Sequence, residues 1–236
     1  MKTYLEPAKE LPVREEVDVL VVGAGPAGIM AAQAAALVKG TKVMLIDSRG
    51  YLGGNMTIGL PLLGFLGRKG NEIIKGLPLR FVERLRERGQ ATHHRKCPLH
   101  VSLTMVDPEG TKHLAWEIME ECGVEVLLDV FATDVIMVAS CPVDLHHPVG
   151  GDCSLWWCPD CYDVPYRCLI PKKVDGVIAA GRDISATHLA LASVRVMGLA
   201  MCLGEAAGKA AALAVRDFLG KITKDIYIIH RRCSHQ

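Results

Sequence analysis

Thirty residues near the N-terminus, Asp18 to Asp47, constrain this chain more than any other stretch. They read DVLVVGAGPAGIMAAQAAALVKGTKVMLID. A short apolar run, Val19 to Val22, enters the turn Gly23-Ala24-Gly25-Pro26-Ala27-Gly28. An alanine-rich helical stretch follows, and a second apolar run, Lys42 to Ile46, ends in Asp47. Each part has a physical job. Gly23 permits a tight strand-to-helix turn, and Gly25 lets backbone approach a pyrophosphate with no side chain in the way. Gly28 lets the helix lie close on the strand. The helix N-terminus then offers free N–H groups and a positive dipole end to phosphates. Asp47 stands nineteen residues after Gly28, where a carboxylate can bond ribose hydroxyls. The pattern reads as dinucleotide binding. A glycine-rich turn in an ordinary α/β protein would leave Asp47 without a role.

Composition agrees with an α/β protein. Half of the 236 residues are hydrophobic and only 5% are aromatic, a balance that suits a parallel sheet covered by helices better than a β-sandwich. The length allows one large domain or two small ones. The net charge of +1 gives no global field to recruit nucleic acid or an anionic membrane. Met1 to Glu16 is charged and lacks the apolar stretch of a secretory signal. Val17 to Val38 is apolar but broken by three glycines and a proline. Gly198 to Leu219 carries Glu205, Lys209, Arg216 and Asp217 and reads as a buried helix rather than a membrane span. A cytoplasmic protein is expected, with neither nucleic acid nor membrane as partner. Nine cysteines in such a chain point to free thiols or metal ligands and not to a disulfide scaffold.

Along the chain, a lead-in of sixteen residues precedes the βαβ unit, and Ser48 to Gly70 reads as a glycine-rich loop. Asn71 to Arg88 has helical spacing, with Ile73, Ile74, Leu77, Phe81 and Leu85 on one side, and Pro78 is expected to kink or split it. Asp107-Pro108-Glu109 opens a second helix as cap and first turn, and Gly123 ends it. Val124 to Leu128 follows as a buried third parallel strand, and Phe131 to Val138 is a candidate for another. Cys141 to Tyr166 is irregular. Val174 to Ala180 reads as a strand ending in Ala180-Gly181-Arg182, and Leu203 to Leu219 as a long helix of small residues. The C-terminal Lys221, Lys224, Arg231 and Arg232 read as a solvated end.

The second half sharpens the reading. Tyr162-Asp163-Val164-Pro165-Tyr166-Arg167-Cys168-Leu169-Ile170-Pro171 leads into Val174-Asp175-Gly176-Val177-Ile178-Ala179-Ala180-Gly181-Arg182. Then come Ile184-Ser185-Ala186-Thr187-His188, Ala192-Ser193-Val194-Arg195-Val196-Met197 and Leu203-Gly204-Glu205-Ala206-Ala207-Gly208-Lys209-Ala210-Ala211. With the N-terminal fingerprint, Leu52-Gly53-Gly54-Asn55-Met56-Thr57 and the Asp107-Pro108-Glu109 helix, the chain resembles the FAD-dependent oxidoreductases with a glutathione-reductase-type FAD fold. The likeness covers residues 15 to 135 and 141 to 217.

The resemblance implies a doubly wound parallel sheet with FAD as cofactor and a small-molecule substrate. It implies that Gly23, Gly25, Pro26, Ala27 and Gly28 hold the pyrophosphate, and Asp47 with Ser48 the adenosine ribose. Gly53 and Gly54 would let backbone pass close to the cofactor, and Gly181, Arg182 and Asp183 would meet its ribityl and phosphate portion. The helix from about Leu203, with Gly204 and Ala206, would aim its N-terminus at the pyrimidine side of the flavin. His188 and Arg195 are the candidates for a catalytic or substrate role. The alternatives are an Arg195 paired with a buried carboxylate and a His188 that caps the loop. Disulfide reductases of this fold carry a dithiol just after the glycine pair. Gly53 to Gly59 holds no cysteine, so no such relay is expected.

The chain also departs from the pattern. The family normally inserts an antiparallel meander, an Ala-Thr-Gly strand and a substrate domain before the Tyr-Asp-x-Pro-Tyr-Arg segment. Here Val124 to Val138 runs almost directly into Cys141-Pro142-Val143-Asp144-Leu145-His146-His147-Pro148. A single FAD-binding domain is expected over 1–236, with an N-terminal part 15–138, a Cys-rich connection 139–161 and a C-terminal part 162–219. Its sheet is expected to lack the strand beside the first one. The substrate domain is reduced or absent, which leaves two readings: an oxidoreductase, or a flavin-binding module that is non-catalytic or completed by a second copy or partner subunit. Cys153, Cys158, Cys161 and Cys168 could satisfy zinc or an iron–sulfur cluster, or Cys158 and Cys161 a redox pair. Their spacing is not a double CxxC, so free thiols and no metal are expected. The adjacent pairs His93-His94 and His146-His147 diverge along a strand or helix and are expected on surface loops.

Overall fold

The computed structural model describes residues 15–98, 100–130, 164–172, 176–218 and 226–229. The elements are β1 (Val19–Val22), α1 (Pro26–Ala36), β2 (Val43–Ile46), β3 (Leu62–Leu63), α2 (Gly76–Glu87), β4 (Arg95–Cys97) and β5 (Val101–Thr104). After them come α3 (Pro108–Glu121), β6 (Glu125–Leu127), β7 (Val177–Ala179), α4 (His188–Val194), α5 (Met197–Phe218) and β8 (Ile226–Ile229). Five strands make one parallel sheet in the order β6-β2-β1-β8-β7. The chain leaves β1 toward β2 and β6 and later fills the opposite side, the reversal of a doubly wound sheet.

β8 corrects one expectation. The place beside β1 is filled: β8 pairs with β1 from Val19 opposite Ile226 to Val22 opposite Ile229, and with β7 on its other edge. Its four residues, Ile-Tyr-Ile-Ile, lie in the stretch read as a solvated end. β-branched and aromatic residues favour a strand, and the flanking lysines and arginines hid the signal. β6 also differs from expectation. Among the described residues it is an edge strand paired with β2 alone, and Glu125 and Leu127, on one face of it, are exposed.

The core lies between the sheet and α1, α3 and α5. Val19, Val21, Val43 and Leu45 are buried under Ile29, Met30, Ala31, Leu114, Ile118 and Ala207. α1 and α5 pack backbone to backbone. A Cβ on Gly204 would lie 2.0 Å from the Ala27 carbonyl oxygen, and one on Gly208 the same distance from that of Ala31. This explains the small-residue composition of α5. By length and composition α5 is apolar enough to cross a membrane, and half of that stretch is buried inside the fold.

Helix ends follow the sequence closely. Asp107 caps α3 by accepting from the Gly110 N–H. Gly123, at φ 66°, closes α3 with its N–H on the Glu120 carbonyl and that of Val124 on Met119, at 3.0 and 2.9 Å. That pair of bonds is a Schellman ending. Pro78 lies in the first turn of α2, where its missing N–H costs nothing. It therefore begins the helix and does not split it.

A small antiparallel sheet, β3-β5-β4, occupies the region expected to be a glycine-rich loop and its sequel. His94, expected on the surface, is held there. Its ring stacks on Phe65 with centroids 4.7 Å apart, and its Nδ1 bonds Thr104 Oγ1. The candidate strand Phe131 to Val138, the pair His146-His147, and Cys153, Cys158 and Cys161 lie outside the described residues.

Candidate functional site

Strand register sets the site. Val22, Ile46, Ile229 and Ala179 stand level across the sheet, so Gly23, Asp47 and Ala180 leave it at one carboxyl edge. Ligands of doubly wound sheets bind at that edge, at the switch point. Here the switch point is beside β1, where α1 begins.

The turn is built as its glycines require. Gly23 takes φ 102° and donates to the Ile46 carbonyl at 2.7 Å. A Cβ on Gly28 would lie 1.7 Å from the Gly23 oxygen, so the helix closes onto the turn itself as well as the strand. Pro26, Ala27 and Gly28 are buried in the first turn of α1, and no side chain caps it. A buried, uncapped helix N-terminus leaves its first N–H groups without partners. It is the chemistry of a diphosphate site.

Gly53 and Gly54 come to the same place. The Gly53 N–H donates to the Ala24 carbonyl at 2.9 Å. Gly53 and Gly54 take φ 111° and 53°, and a Cβ on Gly54 would lie 2.8 Å from Gly25 Cα. The second glycine pair thus lines the first, and side chains there would fill the cradle.

Asp47 ends β2 with Oδ2 accepting from the Ala24 N–H at 2.6 Å and Oδ1 from the Arg49 N–H at 2.8 Å. Each oxygen keeps a lone pair for a hydroxyl donor. Ser48 follows, half-buried in the turn. Sequence reasoning missed Asp129. It sits just beyond β6 at φ 57°, its carboxylate oxygens 3.4 and 3.5 Å from where a Gly50 Cβ would stand. The neighbouring Val130 N–H reaches the Asp47 carbonyl at 3.0 Å. Aspartate tolerates that left-handed backbone better than most residues, which was the available signal.

The C-terminal candidates divide. Gly181 is buried at φ 82° immediately beyond β7. It is two strand spacings from β1, roughly 10 Å, with Arg182 exposed and Asp183 half-buried after it. His188 is the first residue of α4, whose cap is Thr187. Arg195 is exposed at the C-cap between α4 and α5, with no buried carboxylate paired to it among the described residues. Beside α4, a pocket of about 270 Å³ is lined by Val164, Cys168, Ile184, Thr187 and Val194 among others. The Cys168 carbonyl accepts from the Ser185 N–H at 2.8 Å, and its thiol is free. No group of three His, Cys, Asp or Glu suited to a metal occurs among the described residues.

Gly204 and Ala206 are placed elsewhere. α5 begins at Met197, so its positive end is at Met197 and not near Leu203. Gly204 is buried against α1, and Ala206 is exposed on another face. The break between α4 and α5 falls at Arg195-Val196, which the sequence did not mark with a proline or glycine. Glu205, also missed, caps α2 from a distance: its Oε2 accepts from the Leu77 N–H at 2.9 Å.

The model of the family described as "FAD dependent oxidoreductase" matches residues 18–140 and 130–226. Solved structures similar to this chain include THI4 of Thermovibrio ammonificans (22% identity, 48% of this chain, 38% of that one, TM-score 0.32). The open form of a flavocytochrome c3 fumarate reductase is another (22% identity, 49% and 27%, TM-score 0.33). A third is a geranylgeranyl bacteriochlorophyll reductase-like protein of Thermoplasma acidophilum (25% identity, 49% and 30%, TM-score 0.29). The chain matches well under half the length of each. No curated protein matches it.

Proposed function

The chain belongs to the FAD dependent oxidoreductase family and its cofactor is FAD; from that premise we propose that it moves a hydride between a small organic substrate and flavin N5. The observation that carries this reading is the convergence of Gly23, Asp47, the Gly53-Gly54 pair and Gly181 on one sheet edge. Bound FAD supplies the hydride-accepting chemistry, and the protein supplies binding, orientation and field.

In this reading the uncapped first turn of α1 donates N–H groups to the diphosphate. Asp47 takes the ribose hydroxyls, and Gly181 to Asp183 meet the chain between phosphate and ring. The N-terminus of α5 at Met197 would offer a positive dipole end to the ring that gains negative charge. Arg195, exposed just before it, is the candidate to hold an anionic or polar substrate group, with His188 at the start of α4 as the proton carrier.

One observation favours a second reading, a flavin-binding module completed by a partner. Ile58 and Leu60, four and six residues beyond Gly54, are 56% and 49% exposed. They put apolar surface beside the cofactor edge, where a second copy or another subunit could wall in the substrate.

Visible absorption of the purified full chain with added FAD, followed by anaerobic photoreduction, re-oxidation and size-exclusion chromatography, tests both. A stoichiometric flavin that bleaches and returns in a monomer supports the oxidoreductase alone. Flavin retained only in an oligomer supports the second reading, and failure to take up FAD ends both.

A further inference from the structure

The pocket beside α4 has three walls, and their chemistry decides what it can hold. One wall is the segment around the Tyr166–Leu169 turn, with Val164 and Cys168. The second is the link from β7 to α4, with Ile184 and Ala186, and the third is α4 itself, at Ala190 and Val194. Backbone bonds join the first two. The Ser185 N–H donates to the Cys168 carbonyl at 2.8 Å, and the Cys168 N–H to the Pro165 carbonyl at 2.9 Å. Thr187 spends its hydroxyl on the Ala190 N–H, at 3.3 Å, and its carbonyl on the Leu191 N–H, at 2.8 Å. The free thiol of Cys168 behaves as a small hydrophobe with a weak donor. Among the described residues no charged side chain lines the pocket. Its backbone groups are thus satisfied within the walls, so a charged ligand group would lose its water there and gain no partner. An apolar group gains from leaving water.

Size narrows the ligand further. The volume of about 270 Å³ exceeds the roughly 150 Å³ of a dry cavity that accepts benzene. It falls below the roughly 300–1,000 Å³ of sites that take drug-sized molecules. One substituted ring fits. Position ties the pocket to the cofactor edge. Ile184, buried in its wall, is three residues past Gly181, so the chain between them spans at most about 11 Å. Gly181 itself stands just beyond β7 at that edge. We propose that the pocket takes the apolar body of the substrate, a hydrocarbon group of one-ring size, and leaves the reacting group outside it. The inference rests on the oxidoreductase reading above and names the substrate class for it: a compact hydrocarbon body carrying one oxidisable group. Sugars, phosphates and short dicarboxylates have no such body to place there.

The test is a fluorine NMR titration of para-fluorobenzyl alcohol with the full FAD-loaded chain, the visible flavin spectrum being recorded on the same samples. Saturable broadening of the probe signal is expected, together with a shift of the flavin bands. Fluoroacetate, which carries a charge and no ring, should give no saturable response. Ala190→Phe fills the pocket from α4 and should abolish both changes. Ala186→Phe fills it from the second wall and carries the test if the first variant does not fold. Leu213→Ala, at an exposed position on α5, should bind the probe as the parent does. No saturable response in a chain that carries stoichiometric FAD overturns this proposal alone. So does binding that survives the filling variants, or binding that leaves the flavin bands unmoved. Binding to the FAD-free chain that FAD then expels also overturns it, since the flavin ring would be the occupant. A chain that takes up no FAD is recognised from the flavin spectrum, and it ends the oxidoreductase reading and this inference together.

Discussion

Gly204 of α5 stands directly on the carbonyl of Ala27, the second residue of α1. The same α1 turn is the one assigned to the FAD diphosphate, so the packing of two helices and the position of the cofactor site are a single geometric problem. Gly204→Ala is expected to push α1 off its seat, because the obstacle is backbone and cannot rotate away. A loss of about 1–3 kcal/mol in urea unfolding should come with weaker FAD binding in a fluorescence titration. Leu213→Ala, at an exposed position on the same helix, should leave FAD binding unchanged.

Asp47 carries a different kind of load. Its carboxylate both holds the glycine turn, through Ala24, and offers a lone pair to ribose. Asp47→Ala should weaken FAD binding by on the order of 10- to 100-fold, the effect of losing a charged hydrogen bond. Asp47→Asn keeps one oxygen acceptor and should lose less. Equal losses for the two, in the same titration, would mean that charge and not geometry is what matters there.

Glu205 reaches α2 across 128 residues of sequence to accept the Leu77 N–H. Its removal in Glu205→Ala leaves that donor without a cap and should cost about 1 kcal/mol, read as a lower urea midpoint. Glu205→Gln retains an acceptor and should recover most of it. The exposed Lys209 at 3.1 Å is not expected to contribute much, so Lys209→Ala should be close to neutral.

His94 makes stability depend on pH in a definite direction. Burial, and then the charge of Arg86, hold its folded pKa below the ordinary value of 6.5. Above that value the imidazole is neutral in both folded and unfolded chains and has no effect. As pH falls below it, the unfolded chain takes the proton first, so stability declines until the folded pKa is passed. Thermal melting of the parent and His94→Gln across this range should show a smaller decline in the variant. Parallel curves would contradict the assignment.

The cofactor edge was legible in the sequence because backbone requirements speak through glycine. Gly23, Gly53 and Gly181 take positive φ, and Gly28 and Gly54 face contacts that no Cβ survives, so few other residues could stand there. The caps of α3 were legible for the same reason. What could not be read depended on distant partners. Glu205 looks like any polar residue in an apolar helix until α2 is seen beside it. Gly204 lay in a motif attributed to the cofactor, although its neighbour is a helix. His94 was hidden because nothing local announces that Phe65 and Thr104 will enclose it.

The insertion of β8 between β1 and β7 has a consequence for the order of assembly. The pairing of β1, β2 and β6 needs no strand beyond Leu127. Among the described residues β7 meets them only through Ile226–Ile229, last of the described elements to leave the ribosome. The two halves of the FAD edge therefore mature at different times, and the four-residue strand works as a keystone. A chain cut before residue 226 would keep the diphosphate half and leave Gly181 with no frame to hold it in place.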